Sequence, residues 1–216
     1  MRARKNGEET RQRILEAACE VFGEKGYRDA THTAICERAG VNIAAINYHF
    51  GAKETLYRAA CQHLLETAEA LYPLDGGVPP EAPAEARLQA FIEALLQRRL
   101  DPERLGRLHR IHMAEMFDPT GLLDEMMAQW LAKNRAHLEG ILEELLGPHT
   151  PPRTLGLCEM SIVSQCLMGP PGRPHARPQP MLGLGAADVA HLADHIVRFS
   201  LAGIEAVRRE MQRKAT

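Results

Sequence analysis

Asn42, Ala44, Ala45, Asn47, Tyr48, His49 and Lys53 fall in one short stretch of the chain. Their types suit the grooves of a nucleic-acid duplex. The Asn47 amide can pair with the edge of an adenine, and short Ala side chains let a helix sit deep in a major groove and touch thymine methyl groups. Tyr48 and His49 can reach phosphate oxygens. Lys53 opens a predicted helix, where its charge lies beside free backbone N–H groups and makes a phosphate clamp. Thr31 and Thr33 complete this candidate set.

Other constellations are weaker. His109, His112 and Glu115 recur at intervals of three, a spacing that can hold a metal on one helix face but equally describes a polar face or a pocket lining, and no metal is assigned. Cys158 and Cys166 share a helix face but lie about two turns apart, too far to bind one ion unaided. A thiol signal through Cys166 is an alternative. The five cysteines form no Cys-x-x-Cys pair, and an odd number argues against a disulfide framework, so buried free thiols are expected. A Gly-rich phosphate loop, a nucleophile elbow and a His-Glu-x-x-His pair are all missing, so the sequence predicts neither an enzyme nor a cofactor.

The elements that must position the first group read as helices. Ile14, Leu15, Ala18, Val21 and Phe22 repeat at spacings of three and four in a helix starting near Thr10, with Gly23 and Gly26 expected to end it and Gly26 in a left-handed conformation. Residues 1–9 are charged and are expected to be mobile, with the helical pattern starting only at Thr10. Thr31 caps a second helix to Ala39, stopped by Gly40; Asn42 caps a short third one through Phe50; a fourth runs from Ala52-Lys53 towards Tyr72. Ala39 and Gly40 permit a tight turn, with Val41 at its corner and Ile35, Ile46 and Phe50 facing inward. After a Pro/Gly-rich linker at 73–83, helical patterns cover 84–100, 102–117, 121–146, 153–168 and 187–213, with an irregular Gly/Pro-rich stretch at 169–185. The fold class is all-α: a three-helix helix-turn-helix head, then a helical body for ligand binding and dimerisation, about nine helices in all. The division is expected at 1–52 and 53–216.

Composition agrees. Hydrophobic residues are 45% and aromatic residues 5% of the 216, and the apolar content is mostly Leu and Ala, which favour helix. The net charge is −2, with a slightly basic first 60 residues and an acidic remainder, as expected where only the head meets phosphate. Neither an apolar run long enough to span a bilayer nor a signal core is seen, so no membrane partner is predicted and a cytoplasmic location is expected.

The run from Ile35 to Tyr57, through Arg38-Ala39-Gly40-Val41 and Tyr48-His49-Phe50-Gly51, resembles the DNA-binding signature of TetR-family repressors over about residues 10–58. The family commonly has Ser at the position of Asn42, Gly at Ala44 and Tyr at Asn47, so a phosphate-binding Tyr is replaced by a candidate base reader. The stretches 114–120, 164–167 and 195–204 are similar to the CecR branch. The resemblance implies a ligand-responsive repressor, bound as a homodimer to an inverted-repeat operator and released by a small-molecule effector, with dimerisation through the last two helices. A DNA-binding regulator without a ligand, or with a metal or thiol signal, is the alternative. Leu155, Ile162 and Cys166 in one helical stripe, with Leu192, Ile196, Phe199 and Gly203 in the other, are the candidate dimer face. Phe91, His109, His112, Met113, Met116, Phe117, Met127 and Trp130 are the effector-pocket candidates, since Met adapts to varied shapes and aromatic rings supply flat walls.

Overall fold

The charged N-terminus is helical. In a computed structural model, which describes residues 2–101, 105–167 and 186–215, α1 (Arg2–Asp29) begins at the second residue rather than near Thr10. Arg, Lys, Ala and Glu are good helix formers, and only Asn6 and Gly7 in that stretch resist the helix. Gly23 does not end it. The break falls at Gly26, whose φ of 73° is positive as expected but whose ψ of 176° is extended, a combination open essentially only to glycine.

The next two helices follow their local signals closely. Thr31 Oγ1 accepts from Ala34 N (3.1 Å) at the start of α2 (His32–Ala39). Gly40, at φ 63° and ψ 43°, closes it, and Val41 N–H donates back to the Cys36 carbonyl at 3.1 Å. Asn42 Oδ1 accepts from Ala45 N (3.0 Å) to open α3 (Ile43–His49). Each such cap contributes about 1 kcal/mol. Then come α4 (Lys53–Leu71), α5 (Ala84–Leu100), α6 (Leu105–Phe117), α7 (Asp124–Leu146), α8 (Pro152–Leu167), a 3-10 turn at Ala186–Asp188 and α9 (Val189–Ala215). Among the described residues there are nine α-helices and no strand. The stretch at 169–185 lies outside them.

The chain divides into two compact units. The first holds residues up to 68 together with 105–127; the second holds 69–101 with the described residues from 128 onward. In the first, the inner faces of α1, α2 and α3 close on Ile14, Phe22, Ile35 and Ile46, all at most 1% exposed, and α6 packs on α1. The second unit has its own core: Leu88, Phe91 and Leu96 of α5 meet Leu138 and Leu142 of α7, Ile162 and Cys166 of α8, and Ala193 and Ile196 of α9. Leu74 anchors the Pro/Gly linker to this core.

Candidate DNA-binding face

The turn between α2 and α3 is held from outside. Arg13 of α1 donates through Nε to the Ala39 carbonyl (3.2 Å) and through Nη2 to that of Gly40 (2.9 Å). A cation at the carbonyl end of a helix also complements the helix dipole. Ile46 is fully buried and Phe50 is 7% exposed, with Arg11 over the Phe50 ring at 5.1 Å, so the inner side of α3 and its C-terminal end pack against α1. The opposite side of α3 faces solvent. Asn42, Ala44, Asn47 and Tyr48 are exposed, Tyr48 at 84%, while Ala45 and His49 are half-buried. Thr31 and Thr33 are exposed beside them.

These side chains are not equally available. The Thr31 and Asn42 oxygens are engaged by their own helix N-termini, which leaves the Thr31 hydroxyl proton and the Asn42 NH2 group to meet phosphate. Lys53 at the start of α4 is half-buried: its Nζ lies 4.5 Å from the Tyr27 ring centre and 3.4 Å from the Arg28 carbonyl. Among the described residues Asn47 makes no side-chain hydrogen bond. Two residues stand out beyond the sequence-based set. Ile43, 51% exposed on the first turn of α3, is masked in the sequence because positions 43, 46 and 50 read as one apolar stripe. Arg13 carries no local signal, since its partners lie 26 and 27 residues away.

Within the first unit, α6 is tied to the head. Glu20 accepts from Arg38 (2.9 Å) and Arg107 (3.1 Å), and Glu24 pairs with Arg38 at 3.0 Å. The hydrogen bond from Arg38 holds the Glu24 carboxyl below its usual range. Arg110 Nε donates to the Gly23 carbonyl (2.8 Å), and an added Cβ at Gly23 would lie 2.9 Å from Arg107 Cβ, so here glycine is required by the close approach of α1 and α6. Arg28 pairs with Asp118 at 2.8 Å. Deeper in, the fully buried Tyr57 donates to Glu115 Oε1 at 2.7 Å, while Glu115 also accepts from the Thr120 backbone and hydroxyl. Burial and this bond raise the Tyr57 pKa. Glu115 is thereby drawn to Tyr57 and Thr120, and among the described residues no group of three His, Cys, Asp or Glu is placed to hold a metal ion.

Comparison with known proteins accounts for both halves. Residues 14–60 match the family of bacterial regulatory proteins of the tetR type, and residues 84–204 match the C-terminal domain of the HTH-type transcriptional dual regulator CecR. The chain is a TetR-family transcriptional regulator with a CecR-type C-terminal domain. The regulator is 33% identical over 122 residues to the HTH-type transcriptional regulator SrpR of Pseudomonas putida, covering 56% of this chain and 54% of that one. It is 45% identical over 60 residues to CecR of Shigella flexneri, covering 28% of this chain and 26% of CecR. The regulator thus aligns with about half of SrpR and a quarter of CecR. The crystal structure of AibR in complex with isovaleryl coenzyme A and operator DNA shares the fold, with a TM-score of 0.65 at 15% identity over 87% of this chain and 96% of that one.

In the regulator's second unit, the expected dimer face turns inward in part. Leu155, Ile162, Cys166 and Ile196 lie in this chain's own core, at most 6% exposed, and cannot serve as solvent-facing contacts. Leu192 is half-buried against the same core. The face left open by α8 and α9 carries Leu157 (51%), Met160 (58%) and Phe199 (65%), with Gly203 exposed beside them. A groove of about 400 Å³ runs along it between Leu157, Phe199, Val207 and Met211. The helices are apolar on two sides, and periodicity alone does not say which side is core.

The effector candidates are distributed over both units. His109, His112, Met113, Met116, Phe117 and Met127 belong to the first, Phe91 and Trp130 to the second. Phe91 is 1% exposed and stacks on His137 (5.8 Å), Met127 is 7% exposed, and Met116 and Phe117 are exposed at 59% and 76%. His109, Met113 and Trp130 are half-buried, as is His112, whose pKa burial lowers. Burial pushes the thiols of Cys19, Cys61 and Cys166 up to about 12, which keeps them protonated and poorly reactive at neutral pH. No helix among the described residues is long and apolar enough to cross a membrane.

Proposed function

We propose that the chain is a ligand-responsive repressor that grips an inverted-repeat operator as a homodimer and is released by a small-molecule effector. Residues 1–52 form the DNA-binding domain, with Lys53 at the start of α4 adding a phosphate contact, and 53–216 sense the effector and dimerise. The observation that carries the DNA reading is the solvent-facing side of α3, with Asn47 and Tyr48 on a helix whose other side is locked to α1. Tyr48, His49, Lys53 and the two threonines position the backbone, and Asn47 with Ala44 and Ala45 meets base edges. A single head reads too few base pairs to be selective, and the open apolar strip of Leu157, Met160 and Phe199 supplies a surface for a second copy. Effector binding works through its different affinity for the DNA-competent and DNA-incompetent arrangements. The operator DNA and coenzyme A thioester held by AibR support both halves of this reading by analogy.

The test is a binding series on duplexes enriched from a random pool by the full chain. An inverted repeat is expected. Lys53→Ala weakens binding to every sequence about equally and lowers the salt slope, whereas changing Asn47 also relaxes base choice. Variants that bind like the parent would show that α3 is not the docking face. A thermal-shift screen of small molecules finds the effector as a ligand that raises the melting temperature and, added to the complex, frees the DNA.

A further inference from the structure

We propose that base choice is made by an apolar–amide pair, Ile43 and Asn47, which takes a thymine 5-methyl group and an adenine edge within one operator half-site. The inference rests on the DNA-binding reading above and adds the chemistry of the bases recognised.

The seven residues of α3 leave few groups free to choose between bases: Ala44 and Ala45 offer one methyl each, which reaches base edges with little selectivity, and the exposed Tyr48 is assigned to phosphate. Asn42 and Thr31 spend their oxygens on caps, Lys53 sits over the Tyr27 ring, and His49 is half-buried with its ring 5.0 Å from that of Tyr48. Ile43 and Asn47 stand four residues apart, so they are neighbours on one helix face, about 6 Å apart along the axis. That separation is within reach of neighbouring base pairs. Ile43 is a β-branched apolar side chain half in water on a surface that is otherwise small or polar, and Asn47 is an exposed amide with no hydrogen-bond partner among the described residues.

In the major groove an apolar side chain finds one apolar feature, the thymine methyl. An amide finds one base matching both its donor and its acceptor, adenine, through N7 and N6. Cytosine offers no methyl to Ile43. Guanine presents O6 where the Asn47 carbonyl needs a donor. The other occupants of such a surface, a sugar–phosphate backbone or a second protein, do not depend on a base methyl group.

Duplexes enriched by the full chain are resynthesised with single thymines replaced by deoxyuridine, which pairs identically but lacks the methyl, and single adenines replaced by 7-deaza-adenine. Dissociation constants are measured at one salt concentration. One thymine per half-site should lose about fourfold in affinity on demethylation, the value of one buried methyl-sized group. Ile43→Ala should abolish that penalty, and Ile43→Val should keep most of it. Asn47→Ala should lose fivefold or more of the preference for one adenine and become indifferent to its 7-deaza analogue. If no thymine is sensitive, or the penalty is the same in Ile43→Ala, the pair does not read these bases although the DNA-binding reading stands. If no duplex is enriched at all, both fall.

Discussion

Tyr57→Phe tests how the first unit holds α4 against α6. The ring stays: its neighbours Phe22 and Tyr27 lie at centroid distances of 4.8 and 4.9 Å and pack against carbon, not oxygen. What disappears is a 2.7 Å hydrogen bond to the Glu115 carboxylate from a fully buried phenol. Glu115 retains the Thr120 backbone N–H and hydroxyl, so it is not stranded. A hydrogen bond to a charged acceptor is worth about 1.5–3 kcal/mol. At about 2–4 °C per kcal/mol for a chain of this size, the melting temperature should fall by roughly 3–12 °C. Glu115→Gln, measured alone and combined with Tyr57→Phe by thermal denaturation, should give a coupling energy of about 1 kcal/mol or more.

A second readout separates the bond from mere packing. Because the folded pKa of Tyr57 is raised above the unfolded value of 10.0, its contribution is present below pH 10 and is lost as pH rises towards the folded value. The parent should therefore lose more stability than Tyr57→Phe in alkaline solution. A variant that melts within about 1 °C of the parent, with coupling below about 0.3 kcal/mol, would show that the bond holds nothing.

Two glycines should respond with opposite signs. Gly23→Ala gains about 0.8–1 kcal/mol in helix propensity but forces the new Cβ against Arg107 Cβ at 2.9 Å, an overpacking cost of about 1–3 kcal/mol, so a net loss is expected in urea melts. Gly140→Ala meets nothing within 4 Å and should stabilise by roughly the full propensity gain. Arg13→Ala removes the clasp on Ala39 and Gly40 and should weaken binding to all duplexes while speeding hydrogen exchange in α2 and α3; unchanged exchange would refute the bracing role. In acid, the depressed folded pKa of Glu24 means its stabilisation is present above about pH 4.5 and is lost as pH falls through the folded value, so Glu24→Gln should flatten the acid limb of a stability–pH curve.

Where structure follows from neighbours in the chain, the sequence sufficed. Thr31, Gly40 and Asn42 act within three or four residues of themselves, so the limits of α2 and α3 and the tight turn between them are legible without tertiary contacts. The charged start of α1 was not, because charge suggests solvent while Arg, Lys and Glu also favour helix. The family signature lies in this same local stretch. Everything that depends on distant partners had to come from the fold. Tyr57 and Glu115 are 58 residues apart, Arg13 and Ala39 are 26 apart, and Gly23 is constrained only by α6 crossing it. Along α8 and α9, Ile196 and Phe199 share one stripe in the sequence, yet one is buried at 2% and the other exposed at 65%. A helix repeats its apolar residues for any surface that excludes water, and only packing decides whether that surface belongs to the chain itself or is left open.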